Sequence, residues 1–276
     1  MTGQPEAPDT EEPLVRLLEQ NWTDLATLGA GLTPTDWSRP TDLPGWNVQD
    51  NYAHMLGTEC MLEGEPAPAI DVDVSALDHV RNPIGNANEV WVEAHRGRSG
   101  PETLAAFNDI TERRLATLRA MSAEAWDTEG FTPEGPGPYR KFMEIRVFDC
   151  WFHEQDIREA LGRPGGLDGP VADLSAGRIP ASLPFIIGKR AGAPDGSTVV
   201  IAVDGVEHAV VVEGRARRRD TAPASADVRI ELDRRTFCRL AGGRWSATDA
   251  RARGVVAVTG DAALGDQILD HFGYTI

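Results

Sequence analysis

Residues 141–161, KFMEIRVFDCWFHEQDIREAL, carry the pattern that decides the fold of the first half of the chain. Apolar side chains cover most of the circumference that this stretch has as an α-helix, and the run GRPGG at 162–166 is a strong helix stop. Asp149, His153 and Asp156 fall on one narrow stripe, because they are spaced by four and three residues. Since a separate polar strip lies on the far side, we expect this stripe to face the inside of a helical bundle.

The residue types on this stripe indicate a polar site inside the bundle. Buried carboxylates are costly unless they are paired or bound to a metal. An Asp and a His four residues apart present an oxygen and an imidazole nitrogen to one point, as a divalent metal requires. The alternative is a structural network in which Asp149 and Asp156 neutralise Arg146, Arg158 or a protonated His153. Taken alone, a pair this short favours the network, because such spacings are common by chance.

His54 adds a second element to this pattern. It lies off the apolar stripe of the helix predicted over Asn47–Gly64, near Thr58 and Met61. It is therefore either a solvated surface residue or part of a polar pocket, and periodicity does not distinguish the two. The remaining histidines have no other potential metal ligand at a spacing typical of a metal site. They are interpreted as surface residues: His79, His95, His208 and His271. Cys60 and Cys150 have apolar neighbours and are interpreted as core.

The rest of the chain predicts an α+β fold. Helical periodicity marks five stretches: Glu12–Leu32, Asn47–Gly64, Asn86–His95, Pro101–Met121 and Lys141–Leu161. The long ones predict a four-helix bundle with crossover loops. One more helix is expected in 167–190. Strands are then predicted at 197–203, 208–215, 228–232 and 254–259, with a tight turn at 204–205 and helices at 233–240 and 262–272. Residues 1–166 and 167–276 are the two predicted domains.

The composition excludes several classes of protein. Asp and Glu number 43 against 27 Lys and Arg, which gives a formal net charge of −16. A general nucleic-acid binder or a protein that docks on anionic lipid needs clustered basic residues instead. Lys141 and Lys189 are the only lysines, and this preference for arginine is typical of a GC-rich, actinobacterial genome. Three scattered cysteines, no secretory signal and no long apolar run predict a cytoplasmic protein.

Several stretches together resemble a known family. LPGWNVQDNYAHMLG (43–57), HVRNPIGNANEVWVE (79–93) and EIRVFDCWFHEQDIREALGRPGG (144–166) resemble the mycothiol-dependent maleylpyruvate isomerase family of DinB-like metalloenzymes. DVRIELDRRTFCRLAGGRW (227–245) and VVAVTGDAALGDQIL (255–269) are similar to the sterol-carrier-type α+β domain often joined to these bundles. The resemblance therefore implies a DinB-like metal-binding four-helix bundle followed by a small α+β sandwich.

The resemblance also implies a metal site and a thiol cofactor. It places a divalent metal, usually zinc, on His54, Asp149 and His153, with Asp149 standing where the isomerases themselves have a glutamate. Asp156 is then the natural partner to orient an imidazole. The implied co-substrate is mycothiol, whose thiolate would add to, or displace a group from, a small electrophile. We expect that substrate to be anionic and name Arg81 and Arg146 as candidates to bind it or the thiol.

Two other interpretations remain open. Two histidines and one carboxylate also suit Fe(II) and oxygen chemistry, which predicts a non-haem iron enzyme. A sterol-carrier-type domain could instead make the chain a non-enzymatic binder of small apolar or lipid ligands. Elemental analysis separates zinc from iron, and ligand binding by the metal-free protein tests the second alternative. In each case we expect a monomer or a homodimer with small-molecule partners only.

Overall fold

A computed structural model describes residues 11–223 and 225–275. The chain divides after Gly165 into two compact units, which we call the helical unit and the sheet unit. A helical region followed by a sheet-containing region confirms the predicted α+β fold class. No helix in the described residues combines the length and the apolar character needed to cross a lipid bilayer.

The helical unit contains seven α-helices in its described residues. They are α1 (Pro13–Ala30), α2 (Pro34–Trp37), α3 (Val48–Leu62), α4 (Pro83–Arg96), α5 (Gly100–Ala120), α6 (Ala123–Trp126) and α7 (Tyr139–Leu161). Helix α1 packs against α5 and α7, and α3 packs against α4, α5 and α7. Two short antiparallel strands, β1 (Glu129–Gly130) and β2 (Gly137–Pro138), precede α7. The four long helices α1, α3, α5 and α7 form the predicted bundle with crossover loops.

Local sequence fixes the ends of the two helices that matter most for the site. At the start of α3, the Asp50 backbone N–H donates to Asn47 Oδ1, and the Asn47 backbone N–H donates to Asp50 Oδ2. This reciprocal capping box satisfies donors that the first helical turn otherwise leaves free. Helix α7 ends where Gly162 adopts a φ of 63°, a left-handed conformation that glycine enters without steric cost. Both ends lie close to where the sequence predicts them.

Helix α4 begins three residues earlier than predicted. Asn82 Oδ1 accepts a hydrogen bond from the Gly85 backbone N–H, so Asn82 caps the helix and Pro83 occupies its first position. Proline suits that position because its missing N–H has no partner there in any case. The prediction of a start at Asn86 was therefore wrong, although the Asn-Pro pair is itself a start signal.

The sheet unit is a five-stranded sheet with helices. Its elements are α8 (Pro170–Arg178), turns of 3₁₀ and π helix at Ile179–Ser182 and Phe185–Arg190, β3 (Thr198–Val203), β4 (Val206–Glu213), β5 (Arg215–Arg219), β6 (Val228–Leu232), α9 (Arg234–Ala241), α10 (Ala247–Ala252), β7 (Val256–Gly260) and α11 (Ala262–Asp270). The strand order is β5-β4-β3-β6-β7, and only the β3–β6 pair is parallel. Helix α8 confirms the additional helix expected in 167–190.

The core of the sheet unit includes side chains on both faces of β3, because Val199, Val200 and Ile201 are all buried. Val210, Val199 and Val228 are cross-strand neighbours, and each is completely buried. Helix α11 packs against β6 and β7. The predicted turn between β3 and β4 is present, with positive φ at Asp204 and Gly205, as a tight hairpin turn requires. Strand β5 and helix α10 were not predicted, because apolar residues do not recur at a regular spacing in either stretch.

Candidate metal centre between helices α3 and α7

Three of the predicted site residues meet in the helical unit. His54 comes from α3, and Asp149 and His153 come from successive turns of α7. His54 Nε2 lies 3.2 Å from Asp149 Oδ2, and His153 Nε2 lies 3.6 Å from Asp149 Oδ1. One nitrogen or oxygen of each side chain lies within 4.8 Å of the other two. The sequence leaves His54 open as a surface residue or as part of a polar pocket, and the structure places it in a buried polar cluster.

The donor set fits a divalent metal. Two imidazole nitrogens and one carboxylate oxygen are the protein ligands of many catalytic zinc sites, which keep a further position open. The two histidines are buried, each with 5% exposure, whereas 29% of the Asp149 side chain is exposed. The cluster is thus open on the carboxylate side and closed around the rings.

The protonation states of the cluster follow from its charges. Burial opposes ionisation of Asp149, but Arg146, His54 and His153 together hold the pKa of its carboxyl well below the usual range. Burial lowers the pKa of His54 and keeps that ring neutral. Burial acts in the same direction on His153, but Asp149 and Asp156 outweigh it and raise the pKa of that imidazole. A metal would therefore meet an ionised carboxylate, and its binding would compete with protonation of His153 more than with protonation of His54.

His153 has two polar neighbours on its other ring nitrogen. Nδ1 lies 2.8 Å from Asn51 Oδ1 and 3.6 Å from Asp156 Oδ2. The sequence predicts Asp156 for this position, whereas Asn51 was not predicted. A signal for Asn51 exists, because it lies three residues before His54 and so shares its helical face. His54 differs from His153, since its buried Nδ1 has no hydrogen-bond partner among the described residues.

Trp46 forms an aromatic wall beside both histidines. The Trp46 ring lies 5.2 Å from the His54 ring and 5.8 Å from the His153 ring, measured between centroids. Its indole N–H donates to Glu89 Oε2 on α4 at 2.8 Å, which fixes the ring in place. Glu89 is buried and also lies 3.1 Å from both Arg96 Nη2 and His79 Nε2. From the sequence, Trp46 is predicted only as part of a turn.

Arg146 is a buried partner of the carboxylate ligand. Its Nη1 donates to Asp149 Oδ2 at 2.5 Å, and its Nε donates to Glu59 Oε1 at 2.8 Å. The other oxygen of Glu59 accepts from Arg114 Nε at 3.0 Å, so the two arginines share one fully buried carboxylate. Only 3% of Arg146 is exposed. Its guanidinium is thus committed to protein acceptors.

The other residues named from the sequence lie outside the cluster. Arg81 is exposed in the segment that leads into α4. His95 is buried, and its Nδ1 bonds the Trp91 carbonyl oxygen at 2.8 Å, so its interpretation as a surface residue was wrong. The expectation of core cysteines is confirmed for Cys60 and Cys150.

Comparison of the fold finds solved structures of the same architecture. A crystal structure of a mycothiol-dependent maleylpyruvate isomerase aligns over 90% of this chain and 93% of its own, with a TM-score of 0.59 and 16% identity. A histidine-to-alanine mutant of such an isomerase aligns over the same shares with a TM-score of 0.57 and 16% identity. At this identity the likeness concerns the fold alone.

Comparison of the sequence identifies the family. Uncharacterized proteins from two strains of Mycobacterium tuberculosis are 24% identical over 150 residues, which cover 54% of this chain and 57% of their own length. A sequence model of the mycothiol maleylpyruvate isomerase N-terminal domain matches residues 18–158, just over half of the chain, including all three members of the cluster. The chain belongs to the mycothiol maleylpyruvate isomerase N-terminal domain family.

Proposed function

We propose that this chain is a metal-dependent enzyme that uses a low-molecular-weight thiol, mycothiol, on a small electrophilic substrate. The reaction is either thiol transfer to the substrate or its cis–trans isomerisation. The observation that carries the proposal is the convergence of His54, Asp149 and His153, with ligand atoms within 4.8 Å of one another. Membership in the family supports the thiol, and the partial exposure of Asp149 makes the cluster accessible from outside.

The chain's own residues would prepare the site before any substrate arrives. His54 and His153 would hold the metal, most simply Zn²⁺, through Nε2, and Asp149 would hold it through its carboxylate. A metal bound there supplies positive charge that lowers the pKa of a coordinated thiol, so that it is a thiolate at neutral pH. Arg146 keeps Asp149 ionised and in place through its hydrogen bond to Oδ2. Trp46 closes one side of the site against water.

The nucleophile in this proposal is supplied from outside the chain. Burial raises the pKa of each of the three cysteine thiols, Cys60, Cys150 and Cys238, to about 12. A thiol with such a pKa is protonated at neutral pH and is a poor nucleophile. An exogenous thiol cofactor is therefore needed for thiolate chemistry at this site.

The two arginines named for an anionic substrate fall into different environments. Because Arg146 already donates hydrogen bonds to Asp149 and Glu59, we propose that it holds the carboxylate ligand Asp149 and does not bind substrate. Arg81 is exposed, and it lies two residues after His79, whose ring contacts Glu89 next to Trp46. We therefore keep Arg81 as the candidate to bind an anionic group.

The lipid-binding alternative has less support. The described pocket of about 470 Å³ in the sheet unit opens at the ends of the strands. Its lining includes the charged residues Asp204, Arg229, Glu231 and Asp233. An acyl chain favours an enclosed and mostly apolar lining, whereas this pocket mixes these charges with apolar side chains such as Leu232 and Val256.

Metal content tests the proposal directly. Wild-type protein purified without added metal is expected to hold about one equivalent of a divalent ion per chain by elemental analysis, and His54→Ala and His153→Ala are expected to lose it. His271→Ala is the matched control, because that histidine lies in the sheet unit and bonds only the Gln267 carbonyl oxygen among the described residues. The proposal is wrong if both variants in the cluster keep full occupancy. Iron in place of zinc would favour the oxygen-using enzyme.

Activity then separates the two reactions. Metal-loaded wild type is assayed with mycothiol and maleylpyruvate for isomerisation, and with mycothiol and an alkylating electrophile for thiol transfer. Both variants in the cluster are expected to lose the activity that the wild type shows, while His271→Ala keeps it. Wild-type activity that does not depend on added thiol would contradict the role of the cofactor.

A further inference from the structure

Asn51 connects the start of α3 to one of the two histidines. It is completely buried and lies one turn before His54. Its Nδ2 donates to the Asn47 carbonyl oxygen at 2.8 Å. Its Oδ1 lies 2.8 Å from His153 Nδ1, across to helix α7. The amide therefore spans the gap between a helix cap and an imidazole.

The orientation of this amide is fixed by its backbone partner. A carbonyl oxygen is only an acceptor, so the group that faces the Asn47 oxygen must be the NH₂ of Asn51. Flipping the amide would place Oδ1 against that oxygen and lose the bond. Oδ1 must consequently face His153, where it acts as an acceptor. Asn47 is itself held by its capping box with Asp50, so its carbonyl is a rigid reference point.

The acceptor decides which nitrogen of His153 carries the proton. A neutral imidazole has one N–H, and the nitrogen facing Asn51 Oδ1 must donate. Nε2 then keeps its lone pair, and Nε2 is the nitrogen that faces Asp149. Asp156 lies at 3.6 Å from Nδ1, beyond hydrogen-bond distance, so its charge supports the same tautomer without making the bond.

We propose that Asn51 is a positioning residue that fixes the tautomer and the ring orientation of His153, so that Nε2 is presented to a metal. The inference rests on the proposed metal site but concerns a residue outside it. Within the described part of the chain, His54 has no such partner on its Nδ1. The two histidines are therefore unequal ligands, one fixed by an amide and one held by packing and by Asp149.

The tautomer is measured first, in metal-free protein. Two-bond ¹H–¹⁵N correlation spectra, recorded above the titration of the imidazole, are expected to show His153 with its proton on Nδ1 in the wild type. Asn51→Asp keeps an oxygen against Nδ1, although it loses the bond to the Asn47 carbonyl, and is expected to keep the tautomer. Asn51→Leu has no acceptor and is expected to give a mixture or the Nε2–H form.

Metal affinity is the second readout. The Zn²⁺ dissociation constant, measured by competition with a chromophoric chelator, is expected to rise by about 10–100-fold in Asn51→Leu, as for other residues that orient a metal ligand. Asn51→Asp is expected to stay within about 10-fold of the wild type. Asn21→Leu is the control, because it removes another fully buried amide, bonded to Glu154, and should leave affinity unchanged.

The outcomes separate this inference from the proposed function. If folded Asn51→Leu keeps both the wild-type tautomer and the wild-type dissociation constant, the inference is overturned and the role passes to Asp156. If neither the wild type nor any variant binds Zn²⁺, the proposed function is wrong. The tautomer measurement still tests the role of Asn51 in that case. A loss of thermal stability in Asn51→Leu with the tautomer unchanged would show a purely structural role and would also overturn the inference.

Discussion

At the scale of single residues, the site depends on how each ligand is held rather than on the ligands alone. Asp149 is fixed by Arg146, which in turn is fixed by Glu59. His153 is fixed through Nδ1 by Asn51. These partners are buried, and buried polar groups are stable only when their hydrogen bonds are made. The cluster therefore belongs to a larger polar network inside an otherwise apolar bundle.

The sequence shows the ligands and the contact between Arg146 and Asp149, which the structure confirms, but not the rest of this network. Asp149 and His153 are visible because their spacing places them on one face of α7. Glu59 is invisible because an acidic residue in a helix normally indicates a solvent-facing position. Its burial depends on Arg114 and Arg146 arriving from two other helices, which no local pattern encodes.

The cysteines give a prediction about reactivity. Because burial raises the pKa of Cys60, Cys150 and Cys238 to about 12, only about one thiol in ten thousand is ionised at pH 8. The native protein is expected to react negligibly with Ellman's reagent over minutes at pH 8 and to release three equivalents of thiol in guanidinium. Rapid reaction of one thiol in the native state would identify an internal nucleophile and contradict the need for an external one.

At the scale of elements, α3 sets the geometry of the site through its close approach to α4. A Cβ placed on Gly57 would lie 2.3 Å from the Trp91 Cβ, closer than any real contact. The absence of a side chain at Gly57 therefore allows α4 to pack directly on α3. Helix α4 carries Glu89, which holds Trp46 against the histidines. A single glycine thus controls the position of the aromatic wall.

Gly57→Ala tests this close packing. The new methyl group must displace Trp91, and we expect the free energy of unfolding to fall by about 2 kcal/mol, within the range for overpacked cores. Gly97→Ala is the matched control, because Gly97 has an ordinary φ of −79° and nothing within 4 Å of its added Cβ. It should change stability by less than about 0.5 kcal/mol. Urea denaturation measures both, and equal stabilities of the two variants would refute close packing at Gly57.

Helices and strands in which apolar residues recur at a regular spacing could be predicted from the sequence. Elements without such a spacing could not. Helix α7 was found to within two residues because its period is long and Gly162 ends it. Strand β5 was missed because four of its five residues are arginine and only Ala216 offers an apolar side chain. It is a strand because β4 provides a partner for its backbone, which is a tertiary property.

At the scale of the whole molecule, the net charge of the chain is −16, but the charges around the candidate metal site differ from this average. Arg146 and Arg114 lie within the bundle, where the dielectric screening of water is weak. Their positive charge therefore acts locally on Asp149 and Glu59.

All residues of the candidate metal site come from the helical unit. We therefore expect metal binding to stabilise this unit and not the sheet unit. Zn²⁺ at about 100 times its dissociation constant stabilises the state that binds it by about 2.7 kcal/mol. Hydrogen–deuterium exchange read by mass spectrometry is expected to slow in peptides from α3 and α7 and to stay constant in peptides from β3 and β4. His153→Ala provides the control and should show no slowing. Protection that appears only in the sheet unit would contradict the assignment.

Strand β5 has a consequence for how copies of this chain meet in solution. It forms one edge of the sheet and presents exposed Arg215, Arg217, Arg218 and Arg219. An open edge invites another strand to add to it, and natural sheets discourage this with charged residues. Two copies aligned edge to edge along β5 would bring together eight guanidinium groups. Strand β5 therefore discourages fibril-like self-assembly, and it disfavours a homodimer in which two copies pair through this edge.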